Sequence, residues 1–103
     1  MRIAQLNLPV NLNNGAPADA AHAYIAGSLA GIFGGFTSWD GQGAWNDNSG
    51  KLYAEPVRVY QVAYAADPDL RAADTLRMLA RDFKRQADQI AVFIIIDGES
   101  EFI

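Results

Sequence analysis

Residues 36–65 decide the fold, and they read FTSWDGQGAWNDNSGKLYAEPVRVYQVAYA. Two runs rich in aromatic and β-branched residues, 36–45 and 52–65, flank the polar segment NDNSGK at 46–51. The outer runs have the composition of strands, and Asn, Asp, Ser and Gly are typical of turns. The stretch therefore predicts a β-hairpin in the middle of the chain. Pro56 predicts an edge position or a bulge in the second strand of that hairpin, because proline cannot donate to a ladder.

Upstream of the hairpin, the sequence predicts one strand and one helix. Residues 2–10, RIAQLNLPV, alternate between apolar and polar side chains, which is typical of a half-buried strand that reaches an edge or ends at Pro9. Apolar residues at a spacing of three and four then predict a helix from about Pro17 or Asp19 to Phe33.

Downstream of the hairpin, the sequence predicts a second helix and one or two strands. Asp67 and Pro68 form a helix start, since Asp can cap and Pro suits the first helical position. An apolar stripe predicts a helix of about 20 residues beyond it, with Leu70, Ala73, Leu76, Ala80, Phe83, Ala87 and Ile90 as its members. Residues 90–96, IAVFIII, have the length and composition of a buried strand. The dipeptide Asp97-Gly98 predicts a tight turn into a short final strand, Glu99 to Ile103.

The order of these elements, β-α-β-β-α-β, predicts an α+β fold of the ferredoxin-like, split βαβ type. We expect a single domain over residues 1–103, with an antiparallel sheet, both helices on one face and a short fifth strand at the C-terminus. The second face of the sheet, called here the open face, is left bare by the helices. It must be polar or be covered by something else.

Composition excludes several classes of function. The chain has 103 residues, no cysteine, one histidine and a net charge of −4. The missing cysteines exclude disulfides, thiolate metal sites and a cysteine nucleophile, and a single histidine argues against the usual zinc sites, so no metal or cofactor is expected. The negative charge argues against a general nucleic-acid binder. No apolar run approaches a membrane span or a secretory signal, which favours a cytoplasmic protein.

Aromatic side chains dominate the candidate binding surface. Trp39 and Trp45 share one parity of the first hairpin strand, although the glycines between them predict a bulge. Tyr60 and Tyr64 share a parity of the second strand with Arg58. Such aromatics favour an interface or a ligand surface on the open face. The alternative is that they fill the core of a small domain.

The polar candidates for chemistry are few. His22, near the start of the first helix, is interpreted as structural rather than catalytic. Counting back from the turn places Asp40 opposite residue 57 or 58 and Glu55 beside Gln42. An Asp40–Arg58 cross-strand ion pair is the ordinary interpretation, and an acid/base dyad of Asp40 and Glu55 in an aromatic cleft is the alternative.

Basic residues on the second helix offer another surface. Arg77, Arg81 and Arg85 are spaced at i, i+4 and i+8, so they share one side of that helix. A solvated helix face is the simple interpretation. The alternative is a contact for an anionic ligand or an acidic partner.

The hairpin also resembles a family of small bacterial and phage proteins known only as a domain of unknown function. The matching positions follow a Gly-x-Thr, Gly-x-Gly-x-Trp and Glu-Pro-Val pattern and are Thr37, Gly41, Gly43, Trp45, Glu55, Pro56, Val57 and Val59. The likeness spans about residues 33–96, including Gln89 to Val92. It implies a ferredoxin-like domain and no established activity. It also implies an accessory role in phages or mobile elements, such as binding a host protein or a signalling nucleotide.

The sequence leaves two functions open, a binding module and a small enzyme. We favour a non-catalytic, homodimeric binding module that uses the open face to hold a second copy, a host protein or a small nucleotide-like ligand. The alternative is a small enzyme whose polar cleft contains His22, Asp40, Glu55 and Arg58. We also expect Trp45→Ala to disturb folding or assembly more than His22→Ala.

Overall fold

A computed structural model describes residues 1–65 and 71–103 of the chain. It contains five strands and two helices, in the order strand, helix, two strands, helix, two strands. Their bounds are β1 Arg2–Pro9, α1 Asp19–Phe33, β2 Thr37–Asn46, β3 Leu52–Tyr64, α2 Ala72–Gln86, β4 Phe93–Ile96 and β5 Glu99–Phe102. The predicted start of the second helix at Asp67-Pro68, with Leu70, lies outside the described residues.

The strands form one sheet in the order β2-β3-β1-β4-β5, and all neighbours pair antiparallel. This topology confirms the predicted ferredoxin-like α+β fold, including the short fifth strand. β1 lies at the centre because it pairs with both β3 and β4. β2 and β5 are the two edges of the sheet.

The hydrophobic core lies between the sheet and the two helices. Phe83 and Leu76 of α2 and Leu29 of α1 are fully buried, and they belong to one cluster with the inward-facing residues of the strands. The strand residues of this cluster are Ala4, Leu6, Leu8, Tyr60, Val62, Tyr64, Ile94 and Ile96. Both helices therefore cover the same face of the sheet, as the element order predicts.

Two local predictions on the C-terminal side are wrong. α2 ends at Gln86, and the chain reverses through Ala87 and Asp88, which has a positive φ of 51°. Ile90 consequently lies beyond the helix and is 84% exposed, so it does not continue the apolar stripe. The strand predicted over residues 90–96 begins only at Phe93.

The hairpin is more regular than the sequence predicts. β2 and β3 pair without interruption from Thr37↔Gln61 to Asn46↔Leu52, so the bulge expected from the glycines is absent from these paired residues. Pro56 lies in a strand with neighbours on both sides, not at an edge. Its position is tolerated because the ladder between β1 and β3 ends at Pro9↔Val57, one residue away. No helix among the described residues is long and apolar enough to cross a membrane.

Candidate functional site

The open face of the sheet carries both tryptophans. Trp39 pairs with Val59 and Trp45 with Tyr53, and these side chains lie opposite in parity to those that face the helices. Trp39 is 44% exposed and Trp45 is 54% exposed. The predicted placement of the two tryptophans outside the helix-packed core is therefore confirmed.

The two tyrosines predicted to join them lie on the other face. Tyr60 and Tyr64 are buried in the core cluster beneath the helices. The expectation that they line the open face is wrong, because β3 presents its even-numbered residues to the helices. The sequence alone could not decide this, since both parities of β3 carry apolar side chains.

A groove of about 820 Å³ lies across the open face. Val57 and Val59 form part of its floor, and Phe93 and Phe102, which pair across β4 and β5, belong to its lining. The remaining lining residues are Asn7, Pro9, Asn13, Trp39, Gly41, Gln42, Gly43, Ala44, Trp45, Glu55, Gln89, Ile90, Ala91 and Val92. We call this feature the open-face groove.

The hairpin glycines shape this groove. A Cβ atom at Gly43 would lie 3.2 Å from Cγ1 of Val57, closer than ordinary van der Waals contact, whereas at Gly41 the same valine would be 4.0 Å away. The missing side chain at Gly43 therefore leaves room for the side chain of Val57 on the open face. The groove therefore combines aromatic side chains with an aliphatic floor that includes Val57 and Val59.

Glu55 is the one charged residue among those that line the groove. It pairs with Gly43, so no side chain faces it directly across the hairpin. Beside it, Trp45 stacks on Tyr53 with ring centroids 4.7 Å apart and planes 15° apart. A carboxylate among indole and aliphatic groups can accept hydrogen bonds from a ligand or attract a cationic group.

A second polar cluster lies on the helix side, around His22. The ring of His22 is buried between Tyr60 and Phe83. Nε2 lies 2.8 Å from the carbonyl oxygen of Pro9, which only accepts, so Nε2 carries the proton. Nδ1 then accepts the hydroxyl of Tyr60 at 2.8 Å. Burial lowers the pKa of His22 below its ordinary value of 6.5, which keeps the ring neutral.

The cluster continues outward through Arg58 to Asp40. Nε of Arg58 donates to Oδ1 of Asp40 at 2.7 Å and its Nη2 to Oδ2 at 3.3 Å, which confirms the predicted cross-strand contact. The hydrogen bond from Arg58 lowers the pKa of Asp40, and the same contact raises the pKa of Arg58. Burial raises the pKa of Tyr60, against a smaller opposite effect of its hydrogen bond from Arg58.

The four residues of the enzyme hypothesis are thus divided between two faces. His22, Arg58 and Asp40 are linked through Tyr60 on the helix side. Glu55 lies on the open face with the tryptophans. This division contradicts the alternative interpretation of Asp40 and Glu55 as an acid/base dyad.

Intramolecular ion pairs occupy two of the three arginines proposed for an anionic partner. Arg77 donates to both carboxylate oxygens of Glu101, at 2.6 and 3.3 Å, and Arg85 donates to Asp82 at 2.6 Å. These contacts favour a structural role for that side of α2. Among the described residues no group of three or more His, Cys, Asp or Glu side chains could hold a metal ion.

Sequence reasoning missed Phe93 and Phe102 as groove residues. Both lie in segments that the sequence predicts to be strands, but Phe93 is one of an unbroken apolar run, in which alternation gives no sign of the face. The pairing of Phe93 with Asn7 and Phe102 places them on the open face.

Known structures share this fold. The chain is similar to a phage SAM lyase in complex with S-methyl-5'-thioadenosine, with a TM-score of 0.72, 15% identity and coverage of 99% of this chain and 88% of that chain. It is also similar to a phage SAM lyase in the apo state, with a TM-score of 0.71, 15% identity and coverage of 99% and 87%. At this identity the similarity concerns the fold alone. No curated protein sequence matches the chain.

One protein family covers most of the chain. Its description is "Protein of unknown function (DUF3574)", and it matches residues 18–102, from the start of α1 to the end of β5. The match includes the hairpin from which the resemblance to a family of unknown function was drawn, and it extends that resemblance across the first helix. The chain belongs to the family of proteins of unknown function DUF3574.

Proposed function

We propose that the protein is a non-catalytic binding module that holds a small, nucleoside-like ligand in the open-face groove. The observation that carries this proposal is the groove itself: about 820 Å³, mostly apolar, and flanked by both tryptophans of the chain. Ligand sites in proteins are typically about 300–1,000 Å³ and combine apolar walls with a few polar groups.

The side chains of the groove suit a planar, aromatic ligand. Exposed indole rings stack on nucleobases, and each such contact contributes roughly 1–3 kcal/mol. Glu55 supplies an acceptor for the exocyclic amine of a base, for ribose hydroxyls or for a cationic group. Asn7 and Asn13, which also line the groove, offer further donors and acceptors.

The structural similarity supports the choice of ligand class. The phage SAM lyase with the same fold was solved with S-methyl-5'-thioadenosine, an adenine nucleoside. We therefore take S-methyl-5'-thioadenosine and SAM as the first ligands to test. A small phage or mobile-element protein that holds such a nucleoside could act as an accessory factor against a host pathway.

The enzyme alternative is less favoured. It requires His22, Asp40, Glu55 and Arg58 in one cleft, and Glu55 lies across the sheet from the others. His22 is also 4% exposed and uses both ring nitrogens within the chain. A buried and fully bonded histidine is poorly placed to exchange protons with a substrate.

Tryptophan fluorescence tests the proposal directly, because both indoles line the groove. Titration with S-methyl-5'-thioadenosine or SAM should change the emission and give a saturable curve. Trp39→Ala should weaken binding about 10-fold or more, measured by calorimetry, because one stacking contact is lost.

The matched control is Met78→Ala. Met78 is another large, exposed side chain, 49% exposed on α2, and it does not line the groove. Its removal should leave the affinity unchanged. Failure of both ligands to bind at millimolar concentration, or equal affinity losses in the two variants, would contradict the proposal.

A further inference from the structure

The open-face side chains at the centre of the edge strand β2 are arranged symmetrically along the strand. Residues 39–45 read WDGQGAW, and every open-face position has its match across Gln42. Trp39 corresponds to Trp45, and Gly41 corresponds to Gly43. A segment with this symmetry presents the same side-chain order to a copy of itself that runs in the opposite direction, as a two-fold interface requires.

The backbone on the outer side of β2 is available for such a contact. β2 is at the end of the sheet, and among the described residues it pairs with β3 alone. The N–H of Asp47 donates to the carbonyl of Lys51, and antiparallel ladders alternate between bonded and non-bonded pairs. Trp45↔Tyr53 is therefore a bonded pair, and the odd-numbered residues of β2 face β3. The even-numbered residues Asp40, Gln42 and Ala44 direct their N–H and C=O groups away from the sheet.

β2 lacks most of the features that usually prevent edge pairing. Exposed edge strands are normally protected by prolines, by lysines or by bulges. The ten residues of β2 include no proline and no lysine, and their pairing with β3 is continuous. The strand's one charged side chain, Asp40, is already neutralised by Arg58 at 2.7 Å. A protein with a net charge of −4 thus has an almost uncharged strip along this edge.

We infer that β2 is the docking surface for a second copy of the chain. Two β2 strands pair antiparallel about a two-fold axis through Gln42, which joins the two five-stranded sheets into one continuous sheet. In this register Trp39 lies opposite Trp45 of the partner subunit. Gly41 lies opposite Gly43 of the partner subunit, and Gln42 faces its own copy.

Side-chain geometry supports this register. The pairs at positions 39 and 45 are non-bonded ones, in which Cα atoms are about 4.5 Å apart and side chains are in closest contact. Aromatic cross-strand pairs of this kind contribute roughly 0.2–1 kcal/mol each. The glycines leave space for the indole rings to lie across the axis. Asp40 falls opposite Ala44 of the partner subunit, so like charges do not face each other.

The dimer also changes the open-face groove. Trp39 and Trp45 stand at the outer edge of one sheet, and the partner subunit brings its own pair next to them on the same face. The two grooves would then adjoin across the axis, each completed by an indole of the other copy. This inference concerns assembly and does not depend on the identity of any ligand.

Charge substitutions at Gln42 test the register. Gln42 is exposed and pairs with Pro56 at a non-bonded position, so its replacement should leave the fold intact. In light scattering at about 100 µM, the wild-type chain should have twice the mass of the 11.2 kDa monomer. Gln42→Lys and Gln42→Glu should each be monomeric, because like charges directly opposite destabilise a pair of strands. An equimolar mixture of the two should recover the dimer mass.

Controls separate assembly from folding. Glu99→Lys places a lysine on β5, the other edge of the sheet, and should remain dimeric. Hydrogen exchange tests the pairing of β2 in the wild-type chain, without any substitution. The amides of Asp40, Gln42 and Ala44 should be protected at high protein concentration and should exchange faster on dilution. A wild-type monomer or trimer at 100 µM, dimeric single variants, or a mixture that stays monomeric would each overturn the inference.

Discussion

At the scale of single residues, His22 shows how burial fixes a protonation state. Its ring is held by the Pro9 carbonyl on one side and by the Tyr60 hydroxyl on the other, both at 2.8 Å. A second ring proton would place a positive charge in a buried site near Arg58. Burial has the largest effect on the pKa of His22 and lowers it. The hydrogen bond to Pro9 raises this pKa by a smaller amount, so the pKa remains below its ordinary value.

The stability of the protein should therefore fall as the pH decreases below 6.5. The unfolded chain binds a proton to His22 near its ordinary pKa of 6.5, whereas the folded chain binds it only at lower pH. Above pH 6.5 the full free energy of unfolding is retained. Between pH 6.5 and the lower pKa of His22 in the folded chain, the free energy of unfolding should decrease by up to about 1.4 kcal/mol per pH unit.

Urea unfolding at pH 5.5, 6.5 and 7.5 measures this effect. The control is His22→Gln, which cannot titrate and should show a flat profile over the same interval. The lowered pKa values of Asp40, Asp47 and Glu101 act at more acidic pH and do not interfere. A wild-type profile as flat as that of the variant would show that His22 is not buried neutral.

At the scale of elements, the turns were the easiest features to predict. Asp97-Gly98 joins β4 to β5 with φ angles of 52° and 83°, the two positive values that a type I′ hairpin turn requires. Glycine reaches this region without strain, whereas other residues incur a steric penalty there. The sequence predicts this turn correctly because its chemistry is local.

The same substitution at two glycines should have opposite effects on stability. Gly98→Ala forces a side chain into a left-handed conformation, and we expect the free energy of unfolding to fall by about 1–2 kcal/mol. Gly27→Ala, in the middle of α1 with no atom within 4 Å of the new Cβ, should raise it by about 0.5–1 kcal/mol. Thermal unfolding of both variants checks the pair. A rise in stability for Gly98→Ala would rule out this turn geometry.

Strand faces were harder to predict than strand positions. The sequence predicts β3 within a residue of its bounds, and it places Asp40 near Arg58, because both follow from counting along a hairpin. It does not reveal which parity of β3 meets the helices. The prediction for Tyr60 and Tyr64 is wrong because a tyrosine suits two environments. It can lie in an exposed groove, or it can be buried in a core where its hydroxyl has a hydrogen-bond partner. His22 provides that partner to Tyr60, but the two lie 38 residues apart in sequence, a distance over which the sequence pattern alone carries no information.

At the scale of the whole molecule, the sheet separates stability from recognition. Its helix side carries the buried cluster of Phe83, Leu76 and Leu29 with three residues of β3, which are Tyr60, Val62 and Tyr64. Its open face carries the exposed aromatics and the groove. Side chains on the first face stabilise the fold, and those on the second are available for a ligand or a second copy.

For folding alone, this separation leads us to expect the opposite order from the one that the sequence predicts for Trp45→Ala and His22→Ala. His22→Ala leaves the Pro9 carbonyl and the Tyr60 hydroxyl buried without their partner and opens a cavity beside Phe83, which should reduce the free energy of unfolding by about 3 kcal/mol. Trp45→Ala removes an exposed ring whose main aromatic contact is the stack on Tyr53, which should reduce it by about 1 kcal/mol.

Urea unfolding followed by circular dichroism measures both losses. Both substitutions should be made in the monomeric Gln42→Lys variant, because a loss of dimer stability would otherwise add to the loss of folding stability. A Trp45→Ala loss as large as that of His22→Ala would mean that the hairpin packs into the core. The indole at position 45 would then not be free to contact a ligand or a second copy. If Trp45→Ala instead loses only about 1 kcal/mol of unfolding free energy, the exposed indole contributes little to folding. Binding or assembly is then the physical reason for a tryptophan at this exposed edge.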